Sequence, residues 1–542
     1  MAKFFLTTAI DYPNSRPHIG TAFEKIGADV QARYRRFKGD DVFFLMGNDE
    51  NTWKVAQRAR DLGEDPKAYC DRMAAEFKTV WDALDISYDE FIQTTEQRHR
   101  EGVQHFIQVV RESGYIEKRR YSGLYCDGCE AFKTRKEVVQ GRCPNHPQQE
   151  LRRTEEENYF FLLSKFRNKL IDMLAPKAIR GVQLKIEPES RYNEVVKFVS
   201  FELDDPDGEP LDISISRRNE GWGIPIPWDE SQVIYVWFDA LLNYMTGLGV
   251  ERYLDEWWPA DVHFIGKDII KFHCALWPAM IMAYNEGQRA RQLDLPKKVF
   301  AHGFINIDGE KASKSGKFLD PMELVKEFGC DAYRFYFLSR CDYGSDGEYS
   351  FDHFVEVYNA DLANNLGNLL SRTISMAIRY FDGELSLTEQ PEGIVPFGAN
   401  AYRAYCDNLE NCFYRTVLED IWRDLAAMNR YIDEQKPWAL VKTDREKAAG
   451  VIGNLINGLR AVAILLKPLL PGTARKIYES FTFRKPWEEV DLEYFRQLLY
   501  QPEGRLDYDL GVTRDILNQG RPTPLFQRYE NHNPRQPGKT SI

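Results

Sequence analysis

The chain has 542 residues, 43% hydrophobic and 13% aromatic, which excludes a disordered chain and, as a soft guide, fills about three or four domains. Its 71 Lys and Arg stand against 83 Asp and Glu, a formal charge of −12; this excludes a general nucleic-acid coat and leaves nucleic-acid contact to local basic surface. No run approaches about 18 uninterrupted apolar residues, and no cleavage pattern follows Met1 to Ile10, so no membrane span and a cytoplasmic location are expected.

Lys3 to Ile10 is apolar and β-rich, closed by the turn-forming run Asp11 to Pro17. Ile19, Ala22, Phe23, Ile26, Val30, Tyr34 and Phe37 then recur at helical spacing, with Gly39 as the stop. A second buried strand, Val42 to Met46, leads into Gly47-Asn48-Asp49-Glu50. Strand, polar loop, helix, strand is a βαβ unit, which predicts a parallel sheet with ligands at the carboxyl ends of its strands.

Of the nine Cys, only three cluster, in Cys126-Asp127-Gly128-Cys129 and Cys143-Pro144-Asn145-His146. Each is a tight turn able to offer two ligands to one ion, and clustering with a His in a cytosolic chain points to metal before disulfides. Cys126, Cys129, Cys143 and His146 would complete a tetrahedral Zn²⁺ site with no open position, hence a structural metal.

The early rhythm returns at Val262 to Ile265, followed by Gly266-Lys267-Asp268 and a helix-like run from Ile269 to Tyr284. A strand from Val299 to Phe304 leads to Lys311-Ala312-Ser313-Lys314-Ser315. The nucleotide-binding sheet is therefore predicted to be split by a long insertion. Beyond about residue 350, stripes such as Phe354, Tyr358, Leu362, Leu366 and Val417, Ile421, Leu425, Met428, Ile432 predict a helix bundle. After about Pro502 the chain turns polar and Pro-rich, and Asn531 to Ile542 is expected to be a loose tail.

Pro17-His18-Ile19-Gly20 lies between the first strand and first helix. A helix N-terminus offers N–H groups to an anion, Gly20 lets a ligand approach, and His18 can donate to a phosphate oxygen; alone, the string also suits an ordinary βα turn. Lys311 to Ser315 packs two ammonium groups and two hydroxyls after a strand; alone, it also suits a solvated basic loop. In this order the two resemble the signature motifs of class I aminoacyl-tRNA synthetases. Such enzymes join an amino acid to ATP, and preorganised N–H and ammonium donors stabilise the charge on the α-phosphate and leaving pyrophosphate.

The resemblance sharpens to the methionyl-tRNA synthetase family, of the bacterial kind with one metal knuckle. It is carried by Thr7 to Gly20, Trp222 to Trp228, Val236 to Tyr244, Phe264 to Pro278, Leu366 to Leu369, Asn429 to Ile432 and Lys436-Pro437-Trp438. It implies an α/β fold class: a split Rossmann-like parallel-sheet catalytic domain (1–115 and 230–340) with a zinc-knuckle insertion (116–229, knuckle about 121–155), followed by an all-α helix bundle that binds the anticodon (341–505) and a C-terminal extension and tail (506–542). It further implies methionine–tRNA ligase activity with ATP, L-methionine and tRNA(Met) as partners.

By the same resemblance, His18, Thr21, Lys311 and Lys314 act in catalysis. Gly20, Lys267, Asp268, Ser313 and Ser315 join His18 and the two lysines on ATP, and Mg²⁺ is expected with the phosphates. Ile10, Tyr12, Trp237, Ala240, Tyr244, His273 and Trp277 surround the methionine side chain, Asp49 meets its ammonium group, and Arg217 pairs with that acid. Aromatic walls suit a polarizable thioether. Asn368, Arg372 and Trp438 read the anticodon, the indole by stacking on an unstacked base.

Three positions depart from the family pattern. Thr21 stands for the second His of His-Ile-Gly-His, Asn51-Thr52 for the His-Gly of Asp-Glu-His-Gly, and Ala312 for the Met of Lys-Met-Ser-Lys-Ser. Activity is expected to survive them. They are the support for an alternative, a paralogue that binds tRNA or adenylate in a regulatory role without charging. Synthetases for valine, isoleucine or leucine carry a far larger editing domain than this insertion can hold. The family's dimerising C-terminal domain has no room here, so a monomer is expected.

Overall fold

The computed structural model describes residues 2–126, 131–133, 138–139, 141–144, 146–175, 184–203, 211–249, 251–288, 292–307, 309–311, 319–387, 399–500 and 509–530. Its centre is a six-stranded parallel sheet of β1 (Lys3–Thr8), β2 (Asp41–Asn48), β3 (Glu90–Gln93), β4 (Lys185–Glu187), β5 (Val262–Gly266) and β6 (Lys298–His302). The order across the sheet is β3-β2-β1-β5-β6-β4. Phe5, Leu6, Thr7 and Thr8 are all fully buried, as a central parallel strand with both faces covered requires. The chain leaves β1 in one direction and returns through β5 in the other, so the crevice at their carboxyl ends is the topological switch point where ligands of such sheets bind.

Helix α1 (Ile19–Lys38) connects β1 to β2 and ends at Gly39, whose φ of 93° is the left-handed stop anticipated from the sequence. The strand expected at Val299 to Phe304 ends at His302. A Cβ at Gly303 would fall 2.0 Å from backbone atoms of Ser345, and that close approach redirects the chain. Ile305–Ile307 pairs with Gly347–Tyr349 and with Glu310–Lys311 in a separate small sheet. The helical run after β5 is a tight turn (Lys267–Ile269), a π-helical turn (Phe272–Leu276) and an α-helix (Trp277–Gly287).

Within the insertion, Ile116–Cys126 pairs with Arg152–Phe161, and Ser216–Arg218 with Asp229–Ile234. β4 belongs to the insertion by sequence, yet it forms the edge of the central sheet against β6. The bundle is built from Asn368–Phe381, Tyr414–Gln435 and Arg445–Leu466 among others. Arg445–Leu466 is long and apolar enough to cross a membrane, but 89% of its apolar window is buried in the bundle.

The C-terminal extension is ordered well past Pro502. Asp509–Gly511 pairs with Glu384–Ser386, and the Tyr529 ring packs 4.9 Å from Phe328. Asn359 bonds the Tyr529 backbone at both its N–H and its carbonyl. The expected tail, 531–542, lies outside the described residues. Sheet and bundle meet at Arg334, which is fully buried and pairs with buried Asp29 of α1 at 2.7 Å. Its guanidinium also donates to the carbonyls of Leu84 and Leu469.

Candidate active site

A cavity of about 340 Å³ opens at the carboxyl ends of β1, β2, β5 and β6. Residues after β1 (Ala9 to Tyr12), after β2 (Asp49), after β5 (Gly266, Asp268) and after β6 (Gly303 to Ile305) converge on it, together with the start of α1. His18 is the N-cap of α1. Gly20 donates its N–H to His18 Nδ1 at 3.0 Å, which makes Nδ1 the acceptor and leaves the ring proton on Nε2. A Cβ at Gly20 would lie 2.8 Å from the imidazole, so the ring position requires glycine there. Thr21 Oγ1 accepts from the His18 N–H at 3.0 Å and donates to the His18 carbonyl at 2.9 Å. Its single proton is thus committed to the helix cap rather than directed at the cavity.

Both ends of the Lys-Ser-Lys segment are anchored on this cavity. At one end Lys311 pairs with Asn306 in the short hairpin rooted at cavity-lining Ile305. At the other, the Leu319 carbonyl accepts from the Ile19 N–H at 3.2 Å, and Asp320 pairs with Arg16 at 3.1 Å. Ser313, Lys314 and Ser315 lie outside the described residues. Asp268 lines the cavity. Lys267 stands at its rim, where Nζ meets Asp346 at 2.6 Å and lies over the Phe304 ring.

The far wall is aromatic. Ile10, Tyr12, Trp237, Ala240, Tyr244 and His273 all line it; Trp237 stacks on Phe272 at 4.2 Å and meets Tyr12 edge-on. Tyr244 and His273 Nε2 are 2.7 Å apart, and His273 Nδ1 lies 3.0 Å from the Ile269 carbonyl. That carbonyl can only accept, so Nδ1 carries the proton and Nε2 accepts from the tyrosine hydroxyl. Burial pushes the His273 pKa down to about 4 and the tyrosine's up. The pair is therefore neutral at pH 7, and the wall offers polarizable rings without charge. Trp277 does not line the cavity; fully buried, it stands behind Tyr244 with ring centroids 6.3 Å apart.

Asp49 lines the cavity and is 2% exposed. Arg217 flanks the turn that carries it, donating to the carbonyls of Asn51 and Trp222. A buried charge network that the sequence reading missed lies beneath. Lys25 Nζ meets Asp11 at 2.9 Å and Glu24 at 2.6 Å, and Glu24 Oε2 meets His302 Nε2 at 2.9 Å. Burial works against the Lys25 ammonium, but the two carboxylates outweigh it and raise its pKa. For Glu24, Lys25 and His302 likewise outweigh burial and lower the pKa. Residue type gave no signal for it, since α1 also carries Asp29, Arg33, Arg35, Arg36 and Lys38.

Away from the cavity, Cys126 and Cys143 are each 1% exposed. Cys126 pairs with Ala131 at the end of one hairpin, and Cys143 with His146 across another. Cys129 lies outside the described residues, and His146 is placed by its backbone. In the bundle, Asn368 is exposed, Arg372 pairs with Asp433 at 2.9 Å, and Trp438 is 40% exposed. Asp433 belongs to the helix that ends at Gln435, and Lys436 in the left-handed region turns the chain into Pro437-Trp438. Arg372 is thereby joined to the turn that presents the indole.

The family model described as tRNA synthetases class I (M) matches residues 4–157 and 148–374, and that of the anticodon binding domain of methionyl tRNA ligase matches 395–504. The methionine–tRNA ligase of Caldanaerobacter subterraneus is 41% identical over 501 residues, 90% of this chain and 75% of that protein. That of a Nostoc species is 37% identical over 547 residues, 97% of each. Among solved structures, Mycobacterium tuberculosis methionyl-tRNA synthetase in complex with methionyl-adenylate superposes with a TM-score of 0.84 at 34% identity, covering 97% of this chain and all of that one.

Proposed function

The chain belongs to the class I methionyl-tRNA synthetases, and on that footing we infer how its residues carry out methionine–tRNA ligation. The reaction uses ATP, with Mg²⁺ on its phosphates, to activate L-methionine. The methionine carboxylate forms a bond to the α-phosphorus, the bond to pyrophosphate breaks, and methionyl-adenylate results. A hydroxyl at the tRNA 3′ end then attacks the activated carbonyl and AMP leaves.

The observation that carries this reading is the anchoring of the Lys-Ser-Lys segment, through Asn306 and Ile19, on the cavity that His18 caps. We assign His18 Nε2–H to the phosphates, with Gly20 leaving room beside the ring, Lys311 and Lys314 on the leaving pyrophosphate, and Ser313 and Ser315 beside them. Thr21 supports His18. Asp268 suits the ribose and Lys267 the phosphates, the latter after exchanging Asp346 for ligand. The methionine carboxylate is already ionised, so catalysis is donor preorganisation rather than base catalysis.

The neutral aromatic wall suits the thioether, and Asp49 the ammonium group. Arg217 supports the Asp49 turn, and Trp277 backs Tyr244. Asn368, Arg372 and Trp438 are assigned to the anticodon. All of these belong to one chain, and we propose the monomer as the working unit. Cys70, Cys274, Cys330, Cys341, Cys406 and Cys412 form no disulfide among the described residues, in keeping with the cytoplasm.

The insertion suits a structural Zn²⁺. The thiols of Cys126 and Cys143, buried at hairpin ends, together with Cys129 and His146, which follow them in the sequence, make a donor set that would hold the ion closed to substrate. About one zinc per purified chain is expected, lost in Cys126→Ser; metal-free protein overturns the assignment. Methionine-dependent ATP–pyrophosphate exchange followed by tRNA charging tests the whole. Both are expected; tRNA binding with neither activity would instead establish a regulatory paralogue.

A further inference from the structure

An amide side chain has two N–H donors, and Asn51 uses both. Its Nδ2 donates to the Thr94 carbonyl at 3.1 Å and to Asp239 Oδ2 at 3.0 Å. Asn51 is 1% exposed and Asp239 fully buried. The other carboxyl oxygen of Asp239 has no hydrogen-bond partner among the described residues. A buried acid satisfied on one side only is unfavourable in any core, so its presence beside the cavity calls for a local task.

The task follows from what the bond connects. The turn Asp49-Glu50-Asn51 is held by the end of β3, where Glu50 N–H reaches Thr94 Oγ1, and by the insertion, through Trp222 Nε1 to the Glu50 carbonyl and Arg217 to the Asn51 carbonyl. The Asn51–Asp239 bond adds a tie to the short helix Val236–Ala240. That helix places Trp237 and Ala240 in the aromatic wall. We propose that Asn51 and Asp239 are a positioning pair that sets the Asp49 carboxylate at a fixed distance from this wall, so that one amino acid spans both. The inference rests on the reading of Asp49 as the partner of the methionine ammonium group.

The test is steady-state pyrophosphate exchange with Asn51→Leu, Asp239→Leu, the double variant, Asp239→Asn and Asp49→Asn. Each Leu replacement is expected to raise the methionine KM at least about ten-fold while leaving the ATP KM unchanged, a split that general loosening would not produce. Residues acting as one unit are non-additive, so the double variant should be no worse than either single. Asp239→Asn, which keeps an acceptor oxygen, should recover most of the loss. Circular dichroism establishes folding; should Asn51→Leu not fold, Asn51→Ala carries the same expectation.

Multiplicative losses in the double variant, an ATP KM that moves in step, or Asp239→Asn as damaging as Asp239→Leu would overturn the pair. If Asp49→Asn raises the methionine KM and the Leu variants do not, the pair has no positioning role while the reading of Asp49 stands. If Asp49→Asn leaves that KM unchanged, the reading of Asp49 falls and the pair falls with it.

Discussion

Ile19 donates its backbone N–H to the carbonyl of Leu319 at 3.2 Å, joining the first residue of α1 to the residue that closes the Lys-Ser-Lys segment. The helix terminus expected to face phosphate and the loop expected to fold over it are thus tied to each other by one backbone hydrogen bond. The next residue, Asp320, reinforces the joint by capping Pro321–Phe328 and pairing with Arg16.

Asp320→Ala removes the cap and the ion pair together. Cap loss alone is worth about 1 kcal/mol, and the exposed Arg16 pair adds little. The ATP KM in pyrophosphate exchange should rise roughly three- to ten-fold, the kinetic scale of about 1 kcal/mol, with methionine KM unchanged. Asp320→Asn keeps the cap and should recover most of the loss. Equal effects of Ala and Asn would mean that charge, not capping, holds the joint.

Thr21 is placed to hold His18 rather than to touch substrate. Thr21→Ser preserves both bonds of the cap and should keep near-normal kcat. Thr21→Val abolishes them, leaves the His18 N–H without its acceptor, and should lower stability by about 1–2 kcal/mol together with kcat. Loss of kcat in Thr21→Ser at unchanged stability would show that the hydroxyl works directly on ATP.

Asp239 gives a pH signature. Burial pushes its pKa up to about 8, against the Asn51 hydrogen bond and the Arg217 charge, which pull it down. An unfolded aspartate ionises near pH 3.9, so between there and about pH 8 the folded chain binds the extra proton and stability falls as pH rises. The penalty is absent below pH 4 and complete above pH 8. Asp239→Asn should therefore gain stability relative to the parent as pH is raised from 5 to 8, by about 1–3 kcal/mol, whatever it does to methionine binding. Denaturant melts at the two pH values check this; a pH-independent difference would mean the acid is ionised in the folded chain.

Trp438, 40% exposed beyond the Lys436 turn, has the exposure a stacking platform needs. Stacking on a base is worth about 1–3 kcal/mol, so Trp438→Ala should cut kcat/KM for tRNA roughly 5- to 150-fold. Pyrophosphate exchange should be unaffected. A parallel fall in exchange would assign the indole to holding the bundle together.

Much of the site was legible because local signals and chemistry coincided. The turn at His18-Ile19-Gly20 sits between a strand and a helix whose boundaries the apolar spacing marks, and six of the seven residues expected around the methionine side chain line one cavity. Trp277 stands one layer behind that wall, against Tyr244, a difference of depth that residue type and spacing do not carry. Lys25 and Asp239 were invisible for a different reason. A charged side chain in a helix reads as solvated until its partner is known, and here the partners are Asp11 across a turn and Asn51 far along the chain. The edge position of β4 was equally hidden, since strand order is fixed by packing of the whole sheet.

The buried guanidinium of Arg334 has a mechanical corollary. Because it grips Asp29 on one side and the carbonyl of Leu469 on the other while fully buried, the sheet and the bundle are pinned together at this point. Shortening this side chain to Ala would strip one buried partner from Asp29 and remove one of several ties between sheet and bundle, the Tyr414 hydroxyl on the Gly27 carbonyl being another.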